Sequence, residues 1–206
     1  MVFAPALFVL LWSTGFVGAK YGLPYADPFI FLAIRVFIAS VLLFLFAKFS
    51  GAPIKLTRSE IKLSTMVGTT LHFAYLGGVF YAISQGVPAG VAATVTSLQP
   101  ILVSLLGIKV LKSSLGRLQM LGLLFGFIGV AIVLSPAFES ASNMKFSGVV
   151  AALIALVGST TATLIQKKSG GEVPLLVGTA FQYLVAGALF LIAAVTTKGF
   201  HIQWNR

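Results

Sequence analysis

The chain has 206 residues, of which 58% are hydrophobic and only 9% charged, and its net charge is +10. A water-soluble domain carries about 25% charged residues, so the apolar surplus here must face an apolar medium, and lipid is that medium. The basic excess is read as loop charge of a membrane protein, which removes nucleic acid as a partner. With no cysteine, disulfides and thiolate metal sites are excluded.

A helix needs about 20 apolar residues to cross the hydrocarbon core. Seven stretches qualify, which predicts an all-α polytopic membrane protein. The first runs from about Phe3 to Tyr21. It lacks a basic leader and exceeds the apolar run of a signal peptide, so it reads as a span. The second, from about Pro28 to Phe49, opens on a proline suited to a first helical turn. Lys48 to Lys62 reads as the longest polar loop, and the third span follows from about Ser64 to Ser84. After the turn Gln85-Gly86-Val87-Pro88 comes the fourth, about Val87 to Leu111. The fifth runs from about Leu115 to Leu134, ended by Ser135-Pro136, and the sixth from about Phe146 to Gln166. Ser169-Gly170-Gly171-Glu172 precedes the seventh, about Leu175 to Thr197.

Charge sets the expected orientation. With the N-terminus inside, the inner connectors hold Lys48, Lys55, Arg58, Lys62, Lys109, Lys112, Arg117, Lys167 and Lys168. The outer side holds Lys145, Lys198 and Arg206, with Lys20 and Arg35 near or in the membrane. Basic residues favour the cytoplasmic side, so the N-terminus is expected on the cytoplasmic side of the membrane.

A shift of 147 residues lays spans six and seven over spans one and two without a gap. Lys20 then falls on Lys167, Ala33 on Ala180, Ser13-Thr14 on Thr160-Thr161, and Arg35 on Gln182. A five-span unit starts its successor on the opposite side, so the two units would be inverted repeats, an arrangement typical of secondary transporters. On this reading the second unit has two of its five spans and the chain is truncated.

The stretch QGVPAGVAATVTSLQPILVSLLGIKVLKSSLGRLQMLGLLFGFIGVAIVLSP resembles the fourth and fifth helices of an EamA-type repeat of the drug/metabolite transporter superfamily. LLWSTGFVGAKYGL followed by ADPFIFLAIRVFIAS resembles helices one and two. The resemblance takes residues 1–135 as one complete repeat and 146–197 as the start of a second. It implies a ten-helix transporter with a central cavity, working on small metabolites. One position departs: Lys112 stands where the family often has glutamate, which puts in doubt any role assigned to that acid.

The pathway candidates are polar groups inside spans. Arg35 sits about two turns into the second span, where charge is costly. It reads either as a substrate-facing cation or as an arginine snorkelling to the interface. Its repeat counterpart Gln182 would be a neutral cavity partner. His72, with Tyr75 one turn on, could relay protons or simply bond a neighbouring helix. Thr94, Thr96, Ser97, Gln99 and Pro100 fall in the fourth span, where Pro100 frees a carbonyl near mid-membrane. That gives a bent helix lining the pathway, or a packed kink. Lys20, Trp12 and Trp204 read first as interfacial anchors or packing residues. Gly122-x-x-x-Gly126 with Gly129, and Ala89 with Ala93, read as internal packing, with a homo-oligomer face as the second reading.

The expectation is a permease for an unidentified small metabolite, embedded in lipid, working by alternating access with no cofactor, metal or catalytic residue. Its rivals are a truncated fragment without transport activity and, further off, a membrane-embedded enzyme.

Overall fold

The computed structural model describes residues 3–139, 144–169, 173–197 and 200–202. Trp204, Lys198, Arg206 and Gly170-Gly171-Glu172 lie outside the described residues. Among the described residues there are seven long helices: α1 (Phe3–Gly22), α2 (Pro28–Phe49), α3 (Arg58–Ser84), α4 (Ala89–Val110), α5 (Arg117–Glu139), α6 (Phe146–Lys168) and α7 (Leu175–Thr197). α2 to α7 each contain a window long and apolar enough to cross a membrane. α1 itself has 20 residues and one charge, Lys20. Among the described residues the only β pairing is an isolated bridge, Ala26 to Ile202.

Two helices depart from the expected boundaries. α3 begins at Arg58, inside the stretch read as a polar loop, because Thr57 and Glu60 form a capping box. Glu60 Oε2 accepts from the Thr57 N–H at 2.6 Å, and the Glu60 N–H donates to Thr57 Oγ1 at 3.3 Å. α5 runs through Pro136 to Glu139 instead of ending at Ser135. Pro136 has no N–H for the Ile132 carbonyl. The Ser135 hydroxyl supplies that bond instead, at 2.9 Å.

Lipid offers no hydrophobic drive for helices to associate, so close contact between small residues must do it. α6 carries such a stripe in Ala151, Ala155, Gly158 and Ala162, all buried. It packs on α3, where a Cβ on Gly158 would stand 2.8 Å from the Thr70 carbonyl oxygen and 3.1 Å from the Tyr75 nitrogen. α7 meets α3 as closely: a Cβ on Gly68 would lie 2.7 Å from the Gln182 carbonyl oxygen. α2 packs along α7, tied by the Ser40 hydroxyl donating to the Ala180 carbonyl at 2.7 Å. Phe190 of α7 is fully buried, with Phe73 and Phe29 ring centroids 5.2 and 6.4 Å away.

α5 stands apart, since no residue of its membrane window is buried. A Cβ on Gly122 or Gly129 would meet nothing within 4 Å, and one on Gly126 only Ile101 at 3.6 Å. Among the described residues nothing packs against Gly122 or Gly129, and the helix that packs mainly against α5 is α4. Ala89 and Ala93 likewise border a cleft.

The connectors gather at two ends. At one, the Asp27 carboxylate accepts from the His201 N–H at 2.7 Å, and the Lys145 N–H donates to the Gln85 carbonyl at 3.2 Å. At the other, the start of α3 from Thr57 to Met66, Val110 of α4, and Thr161 to Ser169 at the end of α6 with Val173 border a common groove. The nine basic residues of the connectors after α2, α4 and α6 belong to this second end.

Candidate functional site

Two local features shape the interior. Within α3, residues Gly68–Gly77 wind as a π-helix, with hydrogen bonds from i to i+5. π-helical turns are rare and often mark functional positions. Within α4, the helix breaks at Ser97-Leu98 and resumes at Gln99, with Pro100 in its first turn. The break follows from Pro100, which cannot donate to the Thr96 carbonyl. Tighter bonds replace the helical pattern there, Leu98 N–H to Val95 O at 3.2 Å and Ile101 N–H to Leu98 O at 3.0 Å.

Between α1, α3, α4 and α6 lies a cleft of about 880 Å³. α1 contributes Trp12, Ser13, Phe16, Val17, Lys20 and Tyr21; α3 contributes Leu71 and Tyr75. α4 adds Ala89, Gly90, Ala93, Thr96, Ser97, Gln99 and Pro100, and α6 adds Ser159, Thr163 and Gln166. The wall is mainly apolar, with four aromatic rings, several hydroxyls, two amides and a single charge, Lys20. Trp12 and Tyr75 stack across it, ring centroids 6.1 Å apart and planes 12° apart. Lys20 Nζ lies 6.0 Å from the Tyr21 ring centroid. Gln99 is held across the cleft floor: its Nε2 donates to Thr163 Oγ1 at 2.7 Å and to the Ser159 carbonyl at 3.3 Å.

The candidates from sequence divide. Tyr75, Ser97, Gln99 and Pro100 line the cleft. Thr94 does not; its hydroxyl donates to the Gly90 carbonyl at 2.8 Å, one turn back along α4. His72 and Gln182 form a separate pair between α3 and α7, Nε2 to Oε1 at 3.1 Å, with the Tyr183 ring 4.5 Å from the imidazole. His72 and Tyr75 were expected one turn apart in the third span. The wider π winding sends them to different neighbours, α7 for His72 and α1 for Tyr75. Arg35 is exposed and does not line the cleft. It shares an outward stripe of α2 with the exposed Ile38 and Leu42, while Leu32, Val36 and Ser40 face inward.

Sequence reasoning passed over Trp12, Phe16 and the hydroxyl side of α6. Their signal was present: 12, 16 and 20 recur every fourth residue, and Ser159, Thr163 and Gln166 form a polar stripe on an otherwise apolar helix. The shift of 147 residues also lays Trp12 on Ser159 and Phe16 on Thr163, and all four line this cleft.

Residues 1–135 match the family described as EamA-like transporter family. The chain is similar to the uncharacterized transporter YvbV of Bacillus subtilis, 28% identical over 204 residues, which cover 97% of this chain and 65% of that protein. It is also similar to a probable amino-acid metabolite efflux pump of Salmonella typhimurium, 28% identical over 168 residues, covering 81% of this chain and 53% of that protein. A protein of Escherichia coli with the same description is 24% identical over 164 residues, 79% of this chain and 52% of its own length. The chain thus spans about half to two thirds of the length of these curated relatives. No solved structure gives a significant match.

Proposed function

The chain belongs to the EamA-like transporter family, and on that premise we propose that it carries a small amphipathic metabolite through the cleft between α1, α3, α4 and α6. It is an integral membrane protein, and the family and its relatives' names indicate a transporter rather than an enzyme. The observation that carries the proposal is the lining of the cleft. Four aromatic rings suit an apolar side chain, the hydroxyls and amides suit polar backbone atoms, and Lys20 stands as the only charge in the wall. A lone cation among apolar walls selects for a carboxylate by charge complementarity. Two relatives are named as probable amino-acid metabolite efflux pumps, so amino-acid-like carboxylates are the first substrates to try.

The mechanism we favour is alternating access, with residues 146–197 as the first two helices of a second, inverted repeat. Its support is the pairing of Trp12 with Ser159 and Phe16 with Thr163 under the repeat shift, since symmetric halves should present matching faces to one cavity. The interrupted α4 and the π-wound α3 are the elements able to bend. The gathering of nine basic residues at one end supports a cytoplasmic N-terminus.

The test is flux into vesicles. Purified chain, reconstituted into liposomes loaded with a panel of amino acids and their amides, should exchange carboxylates and ignore the amides. Lys20→Gln should weaken carboxylate exchange at least about tenfold, which is the loss of roughly 1.4 kcal/mol. Exchange of carboxylate and amide at equal rates, or no exchange of any carboxylate, would sink the proposal.

A further inference from the structure

A second cavity lies away from the cleft, at the end of the bundle that collects the basic connectors. It has a volume of about 790 Å³ and is bounded by the start of α3 and the ends of α4 and α6. Its two cations come from different helices, Lys62 of α3 and Lys168 of α6, and both are exposed. One turn deeper on each helix the lining turns apolar, to Met66 on α3 and to Ile165 on α6. At 1.5 Å per residue, the four residues on α3 make about 6 Å and the three on α6 about 4.5 Å. α3 and α6 run in opposite directions, yet each puts its lysine at the same end and an apolar residue about one turn further in. The groove therefore carries charge at the level of the membrane surface and an apolar floor below it. Among the described residues its single acid is Glu60, engaged at 2.6 Å by the Thr57 N–H of the capping box, so it serves helix α3.

We propose that this groove binds one anionic phospholipid. The phosphodiester sits between Lys62 and Lys168, and the first carbons of an acyl chain run down over Met66 and Ile165. Charge complementarity selects the headgroup, because clustered lysines at a membrane surface hold anionic lipid. The apolar floor separates a lipid from a free anion: inorganic phosphate would satisfy the lysines and leave the floor empty. The proposal does not depend on what the cleft transports.

Native mass spectrometry of the purified full chain in detergent tests it, with phosphatidylglycerol and phosphatidylcholine offered at equal concentration. Phosphatidylglycerol should be retained at least about tenfold over phosphatidylcholine. Lys62→Gln with Lys168→Gln should bring that ratio to near unity, whereas Lys62→Arg with Lys168→Arg should keep it. Lys55→Gln with Lys112→Gln removes the same charge at the same end outside the groove, and should change the ratio less than about twofold. Equal retention of the two lipids by the unaltered chain would overturn the proposal. So would an equal loss in the Lys55 and Lys112 variant, which would mean diffuse attraction. Displacement of phosphatidylglycerol by millimolar inorganic phosphate would reassign the groove to a free anion and overturn the lipid assignment.

Discussion

Gln99 offers the sharpest test of the cleft, because the structure separates its contribution to stability from its contribution to function. Replacing it by leucine removes two hydrogen bonds, one short at 2.7 Å to Thr163 Oγ1 and one long at 3.3 Å to the Ser159 carbonyl. Neither partner is then orphaned, since the Thr163 hydroxyl still donates to the Ser159 carbonyl at 3.0 Å. The heavy cost of a stranded buried polar group therefore does not arise. Hydrogen bonds between membrane helices average about 0.6 kcal/mol each and reach about 1.7. The short bond dominates, so Gln99→Leu should cost about 1 kcal/mol in unfolding free energy. Transport should suffer more, because an amide in the floor of the cleft is replaced by a branched apolar group. Unfolding by SDS titration of purified protein gives the first number, and exchange flux in liposomes gives the second. A loss above about 3 kcal/mol would make Gln99 a structural strut. Full stability with unchanged flux would remove the α4 break from the pathway.

Other substitutions probe the packing. Gly158→Ala drives a methyl against the Thr70 carbonyl and the Tyr75 nitrogen, which are backbone atoms and cannot step aside. It should cost about 1–3 kcal/mol in the same titration and disturb the Trp12–Tyr75 stack, seen as a shift in tryptophan emission. Ser64 is fully buried and its hydroxyl has no partner among the described residues. Ser64→Ala should therefore be neutral or gain about 1 kcal/mol, and a clear loss would reveal a partner. Lys112 holds φ of 52°, in the left-handed region where glycine sits without strain. Lys112→Gly should raise thermal stability in detergent by about 1 kcal/mol, and a drop would mean that the lysine side chain anchors the turn.

How much of this was legible depends on which physical signal carried it. The bounds of α2 and α7 were readable because abrupt polar flanks bracket uniformly apolar runs. The start of α3 was missed although Thr57-x-x-Glu60 is a readable capping signal, since lysines nearby suggested a loop. The continuation through Pro136 was not legible from proline rules alone, because a serine hydroxyl had taken over the missing bond. At the cleft, the α4 break could be read from Pro100, but the separation of His72 from Tyr75 could not. It depends on the π winding of Gly68–Gly77 and on which helices pack against it, and periodicity of one helix does not contain that information. For Arg35 the depth was legible but the face was not. Intramembrane charge signals cost, and cost invites a functional reading, but the stripe it shares with Ile38 and Leu42 faces outward.

The contrast between Arg35 and Lys20 carries the functional argument one step further. Arg35 is the more deeply placed cation in sequence, yet it lies on the face of α2 away from the bundle, where no other polar group converges on it among the described residues. Lys20 is nearer a helix end, yet it stands on the stripe of α1 that also presents Trp12, Ser13 and Phe16 to Gln99, Ser159 and Thr163 across the cleft. Recognition requires convergence: one charge, hydrogen-bonding groups and apolar rings aimed at a common volume. Depth in the membrane measures what a charge costs. The face it occupies decides what it can bind, which is why the proposed carboxylate site is built on Lys20 and its test is Lys20→Gln.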